Sequence, residues 1–458
     1  MEKKQPVIIE SRSLYKTLAR VALPIALQSL IASSLNLVDN LMVGNLGEVQ
    51  LAAVGLSTQL LFVHWGVMYG FSSGSSAFMA QFWGKKDLRS IQKVAGFAIT
   101  FCFTVSLLFF FIPAMFFPEK VLRIFTDIPE AIAIGKDFIR IVAVCFLTIS
   151  ITVPFTAALR ATQQTSIPLK ISMIALSINT ILNYAFIFGN FGAPELGVRG
   201  AALATAIARI LELVLILYTV FIRKKLIEPG RKTEFFAWHR PLVRKILIIA
   251  VPVTINEAMW SLGMATYNAA YGRVGITEFA AIQASSTLNT LFILAIFSLG
   301  DALLILVGQR LGMGEPDYAY ALTKRLLRIG ILVGIVSGSL LILTSRYIIQ
   351  LFNFTPEGLH YALLILAVYG AFMPLKVYNG LNIVGTFRCG GDTKFAMFLE
   401  IGSVWLIGVP LVFLGTLVLH LPIYFVVLMA QTEEIVKGVL CTKRFLSKKW
   451  LNILVHDI

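Results

Sequence analysis

Charge is scarce in this chain, and most of it has one sign. Asp, Glu, Lys and Arg make up 14% of the 458 residues, and 24 acidic side chains face 39 basic ones. A soluble domain carries about 25% charge. Two stretches, 94–118 and 401–432, have no charged side chain at all. Each exceeds the ~20 residues a helix needs to cross the hydrocarbon of a bilayer. With 57% hydrophobic residues, one soluble core cannot hide the apolar surface, and a membrane must solvate it. Cysteine is sparse too. Cys102, Cys145, Cys389 and Cys441 have no redox-motif or metal-ligand spacing and read as packing residues. There is no HExxH and no Walker A sequence, which removes motif support for zinc proteolysis or ATP hydrolysis. Residues 70–74 fit GxSxG, but inside a spanning segment rather than on a strand-to-helix turn, so the match is a coincidence. No repeated filter loop points to a channel. The apolar runs also lack the ten-residue alternation of a membrane barrel. A polar, basic start leads into a full-length apolar segment without a small-residue cleavage site, so no signal peptide is expected. The sequon Asn353-Phe354-Thr355 reads as chance. Neither an enzyme nor a cofactor is expected.

What is present is a repeat at an offset of 228 residues. Pro24 returns as Pro252, Gly44 and Gly47 as Gly272 and Gly275, and Ala52 and Ala53 as Ala280 and Ala281. Gln81 and Gly84 return as Gln309 and Gly312, and Arg160 and Thr165 as Arg388 and Thr393. In one stretch the offset slips by a residue, where Phe125, Pro129 and Glu130 match Phe352, Pro356 and Glu357. Internal duplication in an apolar chain marks a secondary transporter with its site between the halves.

Each half carries six expected helices. The first six run over 17–43, 51–80, 92–117, 132–159, 167–189 and 199–222; the second six over 246–271, 276–308, 323–348, 359–387, 394–416 and 421–442. The expected architecture is an all-α integral membrane protein of twelve transmembrane helices. Its expected domains are 1–222, a polar link at 223–245 with Pro229, Gly230 and Pro241 as breakers, and 246–458. One set of connections is rich in Lys and Arg (Lys85, Lys86 and Arg89; Arg160 and Lys170; Arg310, Lys324 and Arg325; Arg388 and Lys394), and the link is the most basic of all, with Lys224, Lys225 and Arg231 among its charges. The positive-inside rule then puts both termini and the link in the cytoplasm. The basic excess is topogenic and meets lipid headgroups; nucleic acid is not an expected partner. An even number of spans per half makes the repeats parallel, related by an axis along the membrane normal.

An ionisable side chain inside a spanning helix is a functional candidate by default, because its burial is expensive. Asp39 lies roughly 28 Å beyond Arg20 along the first helix, with Asn36 and Asn40 nearby. Asn179 and Asn183 lie one turn apart on one face of helix five. A carboxylate among amides is a hard-oxygen site for a proton or a sodium ion. The repeat counterpart of Asp39 is Tyr267, which makes the acid look specialised. In the second half, Glu257 on helix seven and Lys376 on helix ten stand at matched depth and invite pairing, with Asp301 on helix eight nearer the cytoplasmic end. Arg209 and Glu212 are spaced to pair locally; Lys437 repeats Arg209 and follows Glu433 and Glu434. These read as structural pairs, and Glu400 reads the same way toward Lys394. His64 reads as a satisfied polar contact. Small residues at 70–76 and 197–202 allow close helix approach. Pro24, Pro154, Pro252 and Pro374 are candidate bends, with the first and third as a shared kink.

Pro24, Leu37-Val38-Asp39, Gly44, Gly47 and 51–55 together resemble the first helix pair of MATE (multidrug and toxic compound extrusion) transporters, of the MOP flippase superfamily. So do 81–84 with 309–312, and the arginine segments 158–161 and 387–393. The resemblance covers nearly the whole chain. It implies a V-shaped, two-lobed antiporter in the cell membrane, driven by an inward proton or sodium gradient and exporting amphipathic, mostly cationic drugs by alternating access. A lipid or lipid-linked oligosaccharide flippase of the same superfamily is the alternative. The resemblance makes Asp39 the coupling carboxylate of the first lobe, with Asn179 beside it and both as potential Na+ ligands. It sets Glu257 as the acid of helix seven. Where some relatives carry helix-five and helix-ten acids, this chain has Asn183, and Lys376, Asn379 and Asn382. The chain is expected to work as a monomer.

Overall fold

Residues 11–124, 129–223, 232–351 and 354–456 are described by the structure, a computed structural model. The repeat pair Phe125 and Phe352, the middle of the link (224–231) and Asn353 of the sequon lie outside the described residues.

Among the described residues, twelve long helical segments follow one another. They are α1 (Ser11–Gly44), α2 (Glu48–Gly84), α3 (Leu88–Phe116), α4 (Pro129–Ala161), α5 (Ser166–Phe188), α6 (Val198–Ile222), α7 (Arg240–Tyr271), α8 (Ile276–Gly312), α9 (Pro316–Ile348), α10 (Pro356–Phe387), α11 (Thr393–Val418) and α12 (Ile423–Leu446). There is no strand among the described residues. Ten of the segments are long and apolar enough to cross a membrane. The other two are α2 and α12, and α12 holds Glu433, Glu434 and Lys437 in its buried face. Local chemistry sets the ends. Asp87 accepts from the Ser90 amide at 3.1 Å to start α3, and Thr355 accepts from the Gly358 amide at 3.2 Å to start α10. Gly189 stops α5 in the left-handed region at φ 70°. Pro24, Pro154, Pro252 and Pro374 all lie inside continuous helices.

Several helices carry π-helical turns. The one at Leu381–Phe387 occupies the end of α10, and Val404–Gly408 and Leu414–Val418 fall in α11. Such turns insert an extra residue and re-aim the side chains that follow, often at functional sites.

The chain divides into two compact units. One comprises the described parts of Met1–Ala26, Ala80–Lys86 and Val251–Ile458; the other comprises those of Leu27–Met79 and Asp87–Ala250. The division passes through α1, α2 and α7. Within the second unit, Phe110, Ile139, Ala143 and Phe146 form an apolar core. His64 is fully buried against it, bonded to Ser106 at 3.0 Å and edge-on to Phe110 and Phe146. The Nε2 contact is the polar contact read from the sequence, while the buried Nδ1 makes no hydrogen bond.

In the first unit the repeat is visible as a reciprocal contact. A Cβ on Gly84 would overlap the Gln309 carbonyl, and a Cβ on Gly312 would overlap the Gln81 carbonyl. The four residues are repeat pairs, so α2 and α8 cross as a local two-fold does, each presenting glycine to the other's backbone. The same device packs α9 on α10, where Gly338 meets the Gly370 carbonyl. Gly84→Ala is therefore expected to cost about 1–3 kcal/mol through overpacking. The purified protein should melt earlier, while Gly66→Ala, with nothing within 4 Å of the added carbon, should melt like the parent. Equal melting of the two variants would mean that α2 and α8 do not pack this closely.

Candidate functional site

Two buried polar networks form, one in each repeat, and both begin from the same positions in the duplicated sequence. The first lies on α1, α4, α5 and α6. Asn183 on α5 donates to Asp39 Oδ1 at 2.7 Å. Asn179, one turn away, donates to Asp39 Oδ2 at 2.9 Å in the amide orientation that also lets its oxygen accept from the Thr205 amide of α6. Both asparagines are buried, at 4% and 2% exposure, whereas Asp39 is half-buried. The carboxylate therefore faces two N–H donors at one edge of a packed interface. Arg209 acts electrostatically on Asp39 from α6 and pairs with Glu212 at 2.7 Å. The network continues outward through Ser172, which donates to Glu212 at 3.1 Å, and Gln28, which donates to Ser172 at 2.8 Å. It ends at Arg160, which donates to Gln28 at 2.8 Å. Asn36 and Asn40 are exposed, so of the sequence-derived group the structure brings together Asp39, Asn179 and Asn183.

The second network lies on α7, α10, α11 and α12, all within the first unit. Asn256, the counterpart of Gln28, donates to Glu400, the counterpart of Ser172, at 2.5 Å. Arg388, the counterpart of Arg160, reaches Glu257 at 2.6 Å, one position along from Asn256. Tyr267 occupies the Asp39 position, and its hydroxyl donates to Glu433 Oε2 at 2.6 Å. Glu433 is the counterpart of Thr205. Lys437, at the Arg209 position, bridges Glu433 at 3.0 Å and Glu434 at 3.5 Å. Asn379 donates to Glu434 Oε2 at 2.7 Å, while its own buried Oδ1 makes no hydrogen bond. The acid that Asp39 supplies in the first half is thus replaced by Tyr267 on α7, which points at Glu433 on α12. Four carboxylates (Glu257, Glu400, Glu433 and Glu434) share this region with three cations (Lys376, Arg388 and Lys437).

Two sequence expectations need correction here. Glu257 does not pair with Lys376. Its partner is Arg388, which at 1% exposure is a core residue rather than a loop charge. Lys376 sits over the Tyr369 ring at 5.5 Å and interacts with the Glu434 and Glu433 charges. Glu400 is bonded to Asn256, and Lys394 is exposed. Lys437 pairs with Glu433 and Glu434 as their spacing predicts, and the same group also meets Tyr267 and Asn379 in the buried interior. Asn382 donates to the Tyr378 carbonyl inside the π-helical turn, and Asp301 is half-buried on α8. Sequence reasoning missed Tyr267 and Glu433 as a contact. The signal was available: both sit at the repeat counterparts of first-half site residues.

Comparison with known proteins adds to the geometry. The family model described as MatE matches residues 24–185 and again 252–414. The two matches start at Pro24 and its repeat counterpart Pro252. An uncharacterized transporter, YisQ of Bacillus subtilis, is 26% identical and covers 90% of each chain. A probable multidrug resistance protein NorM of Thermotoga maritima is 24% identical over 95% of this chain and 93% of its own. The multidrug resistance protein MdtK of Yersinia pestis is 25% identical over 89% and 88%. Among solved structures, an outward-facing multidrug resistance MATE family transporter of the MOP superfamily superposes with TM-score 0.86 at 18% identity, covering 95% of this chain and 97% of that one. A MOP superfamily transporter of Pyrococcus furiosus, described as having a binding pocket of reverse polarity, gives 0.84 with the same identity and coverage.

Proposed function

The chain belongs to the MatE family of membrane transporters, and from that premise we propose that it is a cation-coupled antiporter that exports amphipathic, mostly cationic drugs by alternating access. It is a transporter and not an enzyme. The observation that carries the coupling is the Asp39 carboxylate held by Asn183 and Asn179. A gradient drives export only if the ion binds the two access states differently. A carboxylate at an interface of three helices meets that requirement, because packing around it changes when the helices rock. Asn183 presents an N–H group to Asp39, and Asn179 does the same in the orientation that satisfies both of its amide atoms. A sodium ion takes oxygen ligands and would have to turn those amides, so we favour the proton. The resistance-protein names of NorM and MdtK support drug export. A lipid or lipid-linked sugar flippase would want several uncompensated basic groups, and Arg388 and Lys437 both have carboxylate partners.

In this reading Glu257, Lys376, Asn379, Asn382 and Asp301 form the second-half ion or substrate group, joined by Glu433 and Glu434. The first and second repeats act as the two moving bodies, joined by the link at 223–245. Both termini and the link face the cytoplasm, and the protein resides in the cell membrane as a monomer. The test is dye efflux from proteoliposomes with proton and sodium gradients imposed separately. Efflux that follows the proton gradient alone is the expected result. Dependence on sodium alone would remove the proton assignment, and indifference to both would remove the coupling.

A further inference from the structure

Residues 447–456, which follow α12, carry the one tryptophan among the largest fully buried side chains, Trp450. Its ring stacks on Phe445 at 5.9 Å, and its Nε1 donates to the Phe445 carbonyl at 3.2 Å. Phe445 in turn stacks on Tyr320 of α9 at 5.0 Å. The Trp450 carbonyl lies so close to Gly390 that any side chain there would overlap it, and Asn452 donates to the Gly390 carbonyl at 3.0 Å. On this side the segment is interlocked with the ends of α9, α10 and α12 through rings and tight backbone packing.

On its other side the contacts are of a different kind. Gln81, at the end of α2, donates to the Cys389 carbonyl at 2.8 Å and the Asn452 carbonyl at 3.1 Å, and its Oε1 accepts from the Leu454 amide at 2.7 Å. Lys85 donates to the Val455 carbonyl at 3.1 Å. These are four polar contacts from two side chains, which water replaces at little net cost. Beside them, α2 meets α8 through the reciprocal contacts of Gly84 and Gly312. Gln81 and Lys85 belong to the first sequence repeat, and Trp450, Gly390 and Cys389 to the second. In a transporter whose parallel repeats rock against each other, a tie between repeats at one end must open once per cycle.

We propose that residues 447–456 are a latch, anchored by Trp450 to the second repeat and clasping the α2–α3 connection of the first through Gln81 and Lys85. The asymmetry of the two sides is the argument: the anchor is apolar and interlocked, and the clasp is polar and releasable. The latch does not depend on which ion drives export.

The test is a reversible crosslink. In a chain with its four cysteines replaced, Gln81→Cys and Asn452→Cys are joined by a short, reductively cleavable thiol crosslinker in proteoliposomes. The uncrosslinked pair supplies the reference rate, so a failure of ion coupling is visible before crosslinking begins. Crosslinking is expected to stop dye efflux and reductant to restore it. Crosslinked protein that exports at the reference rate overturns the latch. A second readout uses native Cys389, which is fully buried beneath Gln81. With the other three cysteines replaced, its reaction with maleimide should accelerate during turnover and should be fast at rest in Gln81→Ala. Reactivity equally low with and without turnover would mean that the segment is static packing.

Discussion

Replacing Asp39 by Asn is expected to collapse the coupling of export to the gradient while leaving the protein folded in the membrane. One pH unit across the membrane is worth about 1.4 kcal/mol per proton, which is tenfold in an equilibrium ratio. An antiporter exchanging one proton per substrate can therefore hold a dye ratio of up to about tenfold per pH unit, and Asp39→Asn should hold a ratio near one. The fold should survive because the substitution is isosteric and its surroundings can accommodate it. Asn183 can turn its amide so that Oδ1, which is buried and makes no hydrogen bond, accepts from the new amide. Asp39→Glu keeps the charge but moves it by one methylene, away from the two amides at 2.7 and 2.9 Å. It should retain gradient dependence at a reduced rate. The check is the steady-state dye ratio at several imposed pH differences, with size-exclusion profiles to establish that each variant is folded. A ratio in Asp39→Asn that still rises with the pH difference would move coupling elsewhere, and Glu257→Gln and Glu433→Gln become the next variants to measure.

The architecture was legible because its causes are one-dimensional. Apolar length sets a span, and the 228-residue offset sets the repeat; both survive into the twelve segments and the reciprocal contact of Gly84 and Gly312. The first-half group was legible for the same reason, since Asn179 and Asn183 lie one turn apart and can address a single partner. The second half was not. Counting 1.5 Å per residue along a regular helix sets depth but not rotation. It put Lys376 level with Glu257 and left Arg388 among the loop charges, whereas Arg388 follows the π-helical turn Leu381–Phe387 and reaches the same carboxylate from farther along. The repeat offset likewise identifies equivalent positions without saying which of them touch. Tyr267 in place of Asp39 looked like the loss of an acid. The offset makes Glu433 the counterpart of Thr205, but only the structure reveals that it receives the tyrosine's hydrogen bond.

That acid makes Lys437 the residue whose loss should cost the most stability. Its ammonium lies between Glu433 and Glu434, and all three side chains are almost wholly enclosed, at 4%, 6% and 7% exposure. Lys437→Met keeps the length and apolar stem but leaves adjacent carboxylates facing each other, with Glu400 also close enough to interact with the missing charge. Removing one member of a buried ion pair costs about 3–5 kcal/mol, because the remaining charge is stranded. Glu433→Gln is a milder change. Lys437 keeps Glu434, and the Tyr267 hydroxyl still finds an oxygen, so about 1 kcal/mol is at stake. In the double variant, one stranded carboxylate disappears along with its cation. Its cost should fall below the sum of the single costs by about 1–3 kcal/mol, the range expected of contacting groups. Thermal melting of the purified proteins gives the order: Lys437→Met lowest, the double variant above it, Glu433→Gln close to the parent. If the double variant melts below Lys437→Met, the cluster is not held by charge balance. The hydrogen bond from Tyr267 would then be the stronger constraint on α12, and Tyr267→Phe would be the destabilising change to find.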